Sequence, residues 1–139
     1  MVMAHGSPKP IESGFRPFLH VGTEAAAKER ATSKGTVYKG PVYVKKTAEI
    51  RDVGINHSPI DLAHELKLSG AISDEEFLEI REISGFDNRD KSRKRESFLK
   101  DLLESKGYDS IKYKNTVEDP GSESFILLNP DKQFFPKNH

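Results

Sequence analysis

The side chains best equipped for chemistry in this 139-residue chain are its five histidines and an acidic run near its end. There is no cysteine, which removes a thiolate nucleophile, thiolate metal ligands and disulfides together. His57 and His64 form no metal-ligand spacing with a third group, and His139 ends the chain, so no metal site is expected. Two histidines remain, each followed by a glycine and a hydroxyl: His5-Gly6-Ser7 and His20-Val21-Gly22-Thr23. The acids lie in Glu118-Asp119-Pro120-Gly121-Ser122-Glu123. Imidazole gives a hydrogen-bond donor and acceptor on one ring, glycine lets a backbone edge approach a ligand, and a carboxylate can accept a proton. Each pattern also has a plainer meaning. His5 would serve equally beside a surface turn, His20 as a packed histidine bonded to backbone, and Glu118 and Asp119 as turn formers ahead of Pro-Gly.

The elements around these residues follow from propensity and period. Val2 to Ala4 is a short apolar run ending at His5-Gly6-Ser7-Pro8, a brief strand that turns out into a loop. Thr23 precedes Glu24-Ala25-Ala26-Ala27-Lys28-Glu29-Arg30-Ala31, strong helix formers behind an N-cap hydroxyl, so a helix is expected over 23–33. Thr36 to Lys45 is rich in valine and tyrosine around Gly40-Pro41, a broken β segment whose proline argues for a sheet edge. Three further helices are expected at 59–69, 73–84 and 90–106. Ser58-Pro59 starts the first, and Ser73 with Glu76 makes a capping box for the second, with Phe77, Ile80 and Ile83 on its apolar side. Phe98 and Leu102, with Leu99 and Leu103, are expected to face inward on the third, which Gly107 ends. Ser110 to Tyr113 alternates, and Phe125 to Leu128 is a continuous apolar run expected to be a buried strand.

Bulk composition narrows the partners. Twenty-two basic residues balance twenty-two acidic ones, so no global field favours nucleic acid or an anionic membrane. The one concentrated patch is Arg89, Lys91, Arg93, Lys94 and Arg95, at a helix start where the dipole disfavours cations. It reads either as a solvated helix end or as a docking patch for an acidic protein or nucleic acid. No apolar run is long enough to span a bilayer and no secretory leader is legible, so no membrane partner and a cytoplasmic location are expected. Length and the lack of a linker suggest one domain over 1–139.

Three patterns in order resemble the ADP-ribosyltransferase domains of phage polyvalent proteins and small phage-encoded transferases, including an anti-CRISPR family. They are His5-Gly6-Ser7; Phe18-Leu19-His20-Val21-Gly22-Thr23 before the alanine-rich helix; and Gly107-Tyr108-Asp109-Ser110-Ile111-Lys112-Tyr113-Lys114-Asn115 with Glu118 to Ser122 and Phe125 to Gln133. The resemblance implies an α+β fold with a split β core of two small, mostly antiparallel sheets. It also implies mono-ADP-ribosyl transfer from NAD+, without a metal, to a macromolecular target, as a phage or bacterial effector. Under it His5 contacts the adenosine ribose, and Gly6 brings a backbone amide and carbonyl to the nicotinamide carboxamide. Ser7, His20 and Thr23 flank the cofactor, and the catalytic acid is Asp119, with Glu118 and Glu123 as alternatives; Tyr38 or Tyr43 on the β segment offers a ring to stack on nicotinamide, although core or edge packing is the first expectation for either. Strand alternation places Glu123 on the side of Phe125, which is expected to face inward. The same resemblance admits an NAD+ glycohydrolase or a binding module that has lost turnover.

Overall fold

The computed structural model describes residues 1–11, 14–51, 58–116 and 119–137. Among these, six strands and five helices follow one another as β1 (Val2–Ser7), β2 (Leu19–Val21), α1 (Glu24–Ala31), β3 (Thr36–Pro41), β4 (Thr47–Glu49), α2 (Pro59–Ser69), α3 (Asp74–Arg81), α4 (Asn88–Ser105), β5 (Ser110–Lys114), β6 (Glu123–Leu127) and α5 (Pro130–Gln133). The fold is α+β with two small sheets. β1 pairs antiparallel with β3, and a four-stranded sheet runs β2-β6-β5-β4, antiparallel except for the parallel β4–β5 pair.

The four-stranded sheet is covered on both faces, which explains the unbroken apolar run of β6. Ile111, Tyr113, Ile126 and Leu128 pack with Leu62, Leu66, Ile80, Leu99 and Leu103 of α2, α3 and α4. Leu19, Val21, Phe125 and Leu127 pack on the other side with Met3, Phe15, Tyr38, Val42 and Phe134. Period two sorts adjacent residues to opposite faces, so a strand buried on both reads as continuous.

The helix signals act as expected where side chains satisfy the first turn. The Ser58 hydroxyl accepts from Asp61 N, and Ser73 with Glu76 forms the reciprocal capping box. Gly70 takes the left-handed conformation that ends α2, at φ 85°. Three expectations need correction. The second of these helices stops at Arg81, leaving Ile83 half-buried beyond its end. The third starts at Asn88, because Asp87 caps it by accepting from Asp90 N. On that helix Leu99 and Leu103 face the core, whereas Phe98 is 37% exposed and Leu102 is half-buried, so the apolar stripe is rotated by about one residue.

β3 is the outer strand of its sheet, as Pro41 suggests, and the chain end covers its free side. Phe135 N donates to Pro41 O at 3.0 Å and Lys137 N to Lys39 O at 3.3 Å. The buried Gln133 anchors that end, donating through Nε2 to Tyr43 O and Asp109 O. Among the described residues no helix is long and apolar enough to cross a membrane.

Candidate functional site

Among the described residues a single backbone bridge joins the two sheets. Ala4 N donates to Gly22 O and Gly22 N to Ala4 O, both at 2.8 Å, and beyond it β1 and β2 part. Backbone groups of a strand alternate between its two edges, so the pairing of Ala4 with Gly22 fixes the rest. His5 exchanges its bonds with Tyr38 on β3, and the N–H and C=O of Gly6 point to the β2 edge, where the described residues supply no strand partner. His5 thus lies within β1 rather than at its end, and Ser7 is the last strand residue. Glycine is needed at position 6 because a Cβ there would stand 1.8 Å from Ala27 O, which presses α1 onto the strand. Small residues do the same on the helix, where Ala26, Ala27 and Ala31 are buried.

The split opens into a recess lined by Gly6, His20, Gly22, Arg30, Tyr113 and Ser124, with Ala4, Val21, Ala26 and Ala27 between them. Its enclosed space of about 10 Å³ is roughly that of one water molecule. It accommodates one small polar group, with the remainder of any larger ligand lying outside its mouth.

His5 is held in a defined state. Its Nδ1 lies 2.6 Å from the carbonyl oxygen of His20, and since a carbonyl only accepts, that nitrogen carries the proton. Burial lowers the imidazole pKa below 6.5; the bond to His20 opposes this and the Arg30 charge adds to it. The ring is therefore neutral at neutral pH, with Nε2 as an acceptor. The ring packs T-shaped against Phe15, at 6.1 Å between centroids. His20 is tied to the helix-covered side of the sheet by a 2.8 Å bond between its Nδ1 and the Tyr113 hydroxyl.

The acidic loop is held against the start of α1. The Thr23 hydroxyl accepts from Ala26 N as the helix cap and donates to Asp119 Oδ2 at 2.5 Å. Asp119 N donates to Glu29 Oε2 at 3.0 Å, and the residue sits at φ 42°, a left-handed value that costs about 1 kcal/mol or more for a non-glycine. Buried Asn115 braces the loop from below, donating through Nδ2 to the hydroxyls of Ser122 and Ser124 at 2.9 and 2.8 Å. Asp119 and Thr23 therefore adjoin the α1 end of the recess without lining it.

The remaining predicted site residues lie elsewhere. Glu123 shares the Phe125 face by alternation, but its side chain is 54% exposed at the strand end, 3.7 Å from Lys112 Nζ, on the opposite face from Tyr113 and Ser124. The inward course expected for it is not observed: β6 begins at this residue and its carboxylate turns to Lys112. Glu118 lies outside the described residues, as do His57 and His139. The Ser7 hydroxyl turns back to Lys9 O. Tyr38 is buried among Phe15, Val42 and Phe134, its hydroxyl accepting from Ile11 N at 2.8 Å, and Tyr43 lies exposed against Phe135. Neither tyrosine lines the recess.

The cationic patch divides in use. Arg95 donates to Ile80 O and Arg81 O and so closes the end of α3, and Lys94 pairs with Asp90 at 3.2 Å. Arg89 and Arg93 stay exposed and Lys91 half-buried, near Phe86, which is 97% exposed. Offsetting the helix dipole is thus partly the work of Asp90 and of the carbonyls Arg95 reaches.

Sequence reasoning missed Arg30, Tyr113, Ser124 and Asn115 as a group. Arg30 had a local signal, standing three and four residues after Ala27 and Ala26 on the face that meets β1. The others come together only through strand pairing. Asn115 and Tyr113 lie in the third quoted pattern, but nothing in their spacing gives them a role. Among the described residues no three acidic or histidine side chains converge as a metal site would require. No family model, no curated protein and no solved structure matches the chain significantly.

Proposed function

We propose that this chain is an NAD+-dependent mono-ADP-ribosyltransferase that modifies a macromolecule, with the split beside His5 and Gly6 as its nicotinamide site. The observation that carries the reading is the peptide edge of Gly6, buried at the recess wall with no strand partner on that side among the described residues. It offers one donor and one acceptor side by side, the complement of a primary carboxamide, on the wall of the recess. The neutral His5, with Nε2 as acceptor, suits a ribose hydroxyl.

In the reaction the bond between nicotinamide N1 and ribose C1′ breaks, its electron pair leaves with the now neutral ring, and the acceptor's lone pair forms a new bond to C1′. The acceptor's proton passes to a carboxylate. Asp119 is the acid assigned to that task, being fixed at the start of α1 by Thr23 and by its own backbone bond to Glu29. A carboxylate there also opposes the positive charge that grows on the ribose as nicotinamide departs. The domain is read as a single unit over 1–139 that acts in the cytoplasm as a phage or bacterial effector. A protein target is favoured, with Arg89, Lys91 and Arg93 as a secondary contact for nucleic acid.

Incubation with NAD+ labelled in the adenylate moiety, in a bacterial lysate, tests this. Label on protein or nucleic acid is the expected result. Release of free ADP-ribose alone makes the chain a glycohydrolase, and neither product makes it a binding module.

A further inference from the structure

We infer that the exposed Phe86 ring and the cations beside it form a binding surface for single-stranded nucleic acid, the ring stacking on a base while Arg89, Lys91 and Arg93 meet phosphates. The surface lies at the connection from α3 to α4. It takes up the nucleic-acid contact of the proposed function and rests on no part of the NAD+ site.

Phe86 is 97% exposed, yet its backbone is firmly held. Its N–H donates to Asp90 Oδ2 at 3.0 Å, Asp90 N donates to Asp87 Oδ1 at 2.8 Å, and Lys94 Nζ lies 3.2 Å from Asp90 Oδ2. Gly85 permits the turn, since a Cβ there would stand 2.6 Å from Lys91 N; the connection thus lies directly on the first turn of α4. These contacts present the ring outward, with Lys94 Nζ 5.6 Å from its centroid. A ring fixed in this way is a preformed platform, and binding to it costs little ordering.

Two observations choose the partner. The residues on either side, Ser84, Gly85, Asp87 and Asn88, are exposed and small or polar, so along the chain the ring does not extend into the apolar patch that protein docking or membrane insertion uses. The nearby acids are also already engaged, Asp87 as the cap of α4 and Asp90 with Lys94 and the Phe86 N–H. Arg89, Lys91 and Arg93 make no ion pair among the described residues, and Arg89 and Arg93 stand one turn apart on one helix face. A lone π-face among unneutralised cations matches the bases and phosphates of a single strand. A duplex keeps its bases stacked on one another and offers this surface only phosphates. Neither the ring nor the cations read the sugar, so RNA and DNA bind alike.

The test is fluorescence anisotropy of the full chain with a labelled oligothymidylate, an oligouridylate and a DNA duplex of the same length, across a range of salt. Both single strands should bind more tightly than the duplex. Three phosphate contacts give a slope of about −2 in log K against log salt, which Arg89→Ala should flatten by about 0.7. Phe86→Ala should weaken single-strand binding by about five- to a hundredfold, as loss of one stacked base does. Phe86→Tyr should retain the affinity, and Phe86→Leu, apolar without a π-face, should lose it as alanine does. No binding, a duplex bound as tightly as the single strands, or Phe86→Leu equal to wild type overturns the inference. Preference for phosphatidylserine vesicles or for polyglutamate over the single strands overturns it in favour of a membrane or an acidic protein. None of these outcomes touches the NAD+ reading, which labelled transfer tests separately.

Discussion

The two sides of the molecule are built on different physics. On one side of the four-stranded sheet, α2, α3 and α4 lay a periodic apolar surface over Ile111, Ile126 and Leu128. At the β1–α1 side the contacts are made by glycine, alanine, histidine and serine. There the helix backbone touches the strand at Gly6, and a few hydrogen bonds hold the sheets together across a split. The first side obtains its stability from area and is insensitive to which ligand is near. The second gives up area and leaves the Gly6 peptide edge without a strand partner among the described residues. Stability and binding should therefore separate cleanly when residues are changed on either side.

The largest expected effect belongs to the apolar side. Leu103→Ala, at a fully buried position, should destabilise the fold by about 2–5 kcal/mol in chemical denaturation, with NAD+ affinity unchanged wherever the variant is folded. A variant that lost NAD+ affinity while folded would break the comparison, since it would couple the helical core to the split.

Asp119→Ala should show the reverse pattern. Turnover in single-turnover transfer is expected to fall by about a hundredfold or more, with NAD+ affinity changing far less, because a carboxylate near the departing ring matters most in the transition state. Loss of the Thr23 contact should cost little stability, as Thr23 keeps its own bond from Ala26 N. Glu123→Ala is the control, and on its exposed, opposite-face position it should leave the rate unchanged. If Glu123→Ala abolishes transfer and Asp119→Ala does not, the acid has been assigned to the wrong strand end.

The smallest effect is a pH slope. The folded-state pKa of His5 is lowered from 6.5, so as pH falls below that value the unfolded chain takes up the proton before the folded one does, and stability declines. The contribution is present above 6.5 and is lost as pH drops toward the folded value, at no more than about 1.4 kcal/mol per pH unit. Glu65 and Glu76, whose carboxyls are also held below their ordinary 4.5 by Arg51 and by the Ser73 backbone respectively, act at lower pH. His5→Asn keeps a donor for His20 O and cannot titrate, so its stability should fall less steeply between about pH 6.5 and 5. An identical slope in both proteins would place the acid sensitivity elsewhere.

The same contrast explains what was legible in the amino-acid sequence. Elements that rest on period and capping could be read there: Ser58-Pro59 and Ser73 with Glu76 mark α2 and α3, and the alternation of β5 and the apolar run of β6 locate the sheet. β4 could not, because a three-residue strand with one buried alanine acquires its identity only from parallel pairing with β5. The rotation of α4 was hidden because Phe98, Leu99, Leu102 and Leu103 are all apolar, and the choice among them is made by the packing of α2 and α3. Of the candidate site, the strand glycine and the two histidines were visible as patterns. Arg30, Tyr113 and Ser124 were not, since pairing partners distant in sequence bring them to one recess.

The central claim is that the polar edge at Gly6 is where NAD+ binds, and backbone amide resonances report on it residue by residue. In a titration of the 15N-labelled chain with NAD+, the account predicts saturable shifts at Gly6, His20, Gly22 and Ser124, with the amides of α2 and α4 nearly still. No shift at millimolar NAD+, or shifts centred on α2 to α4, would contradict it.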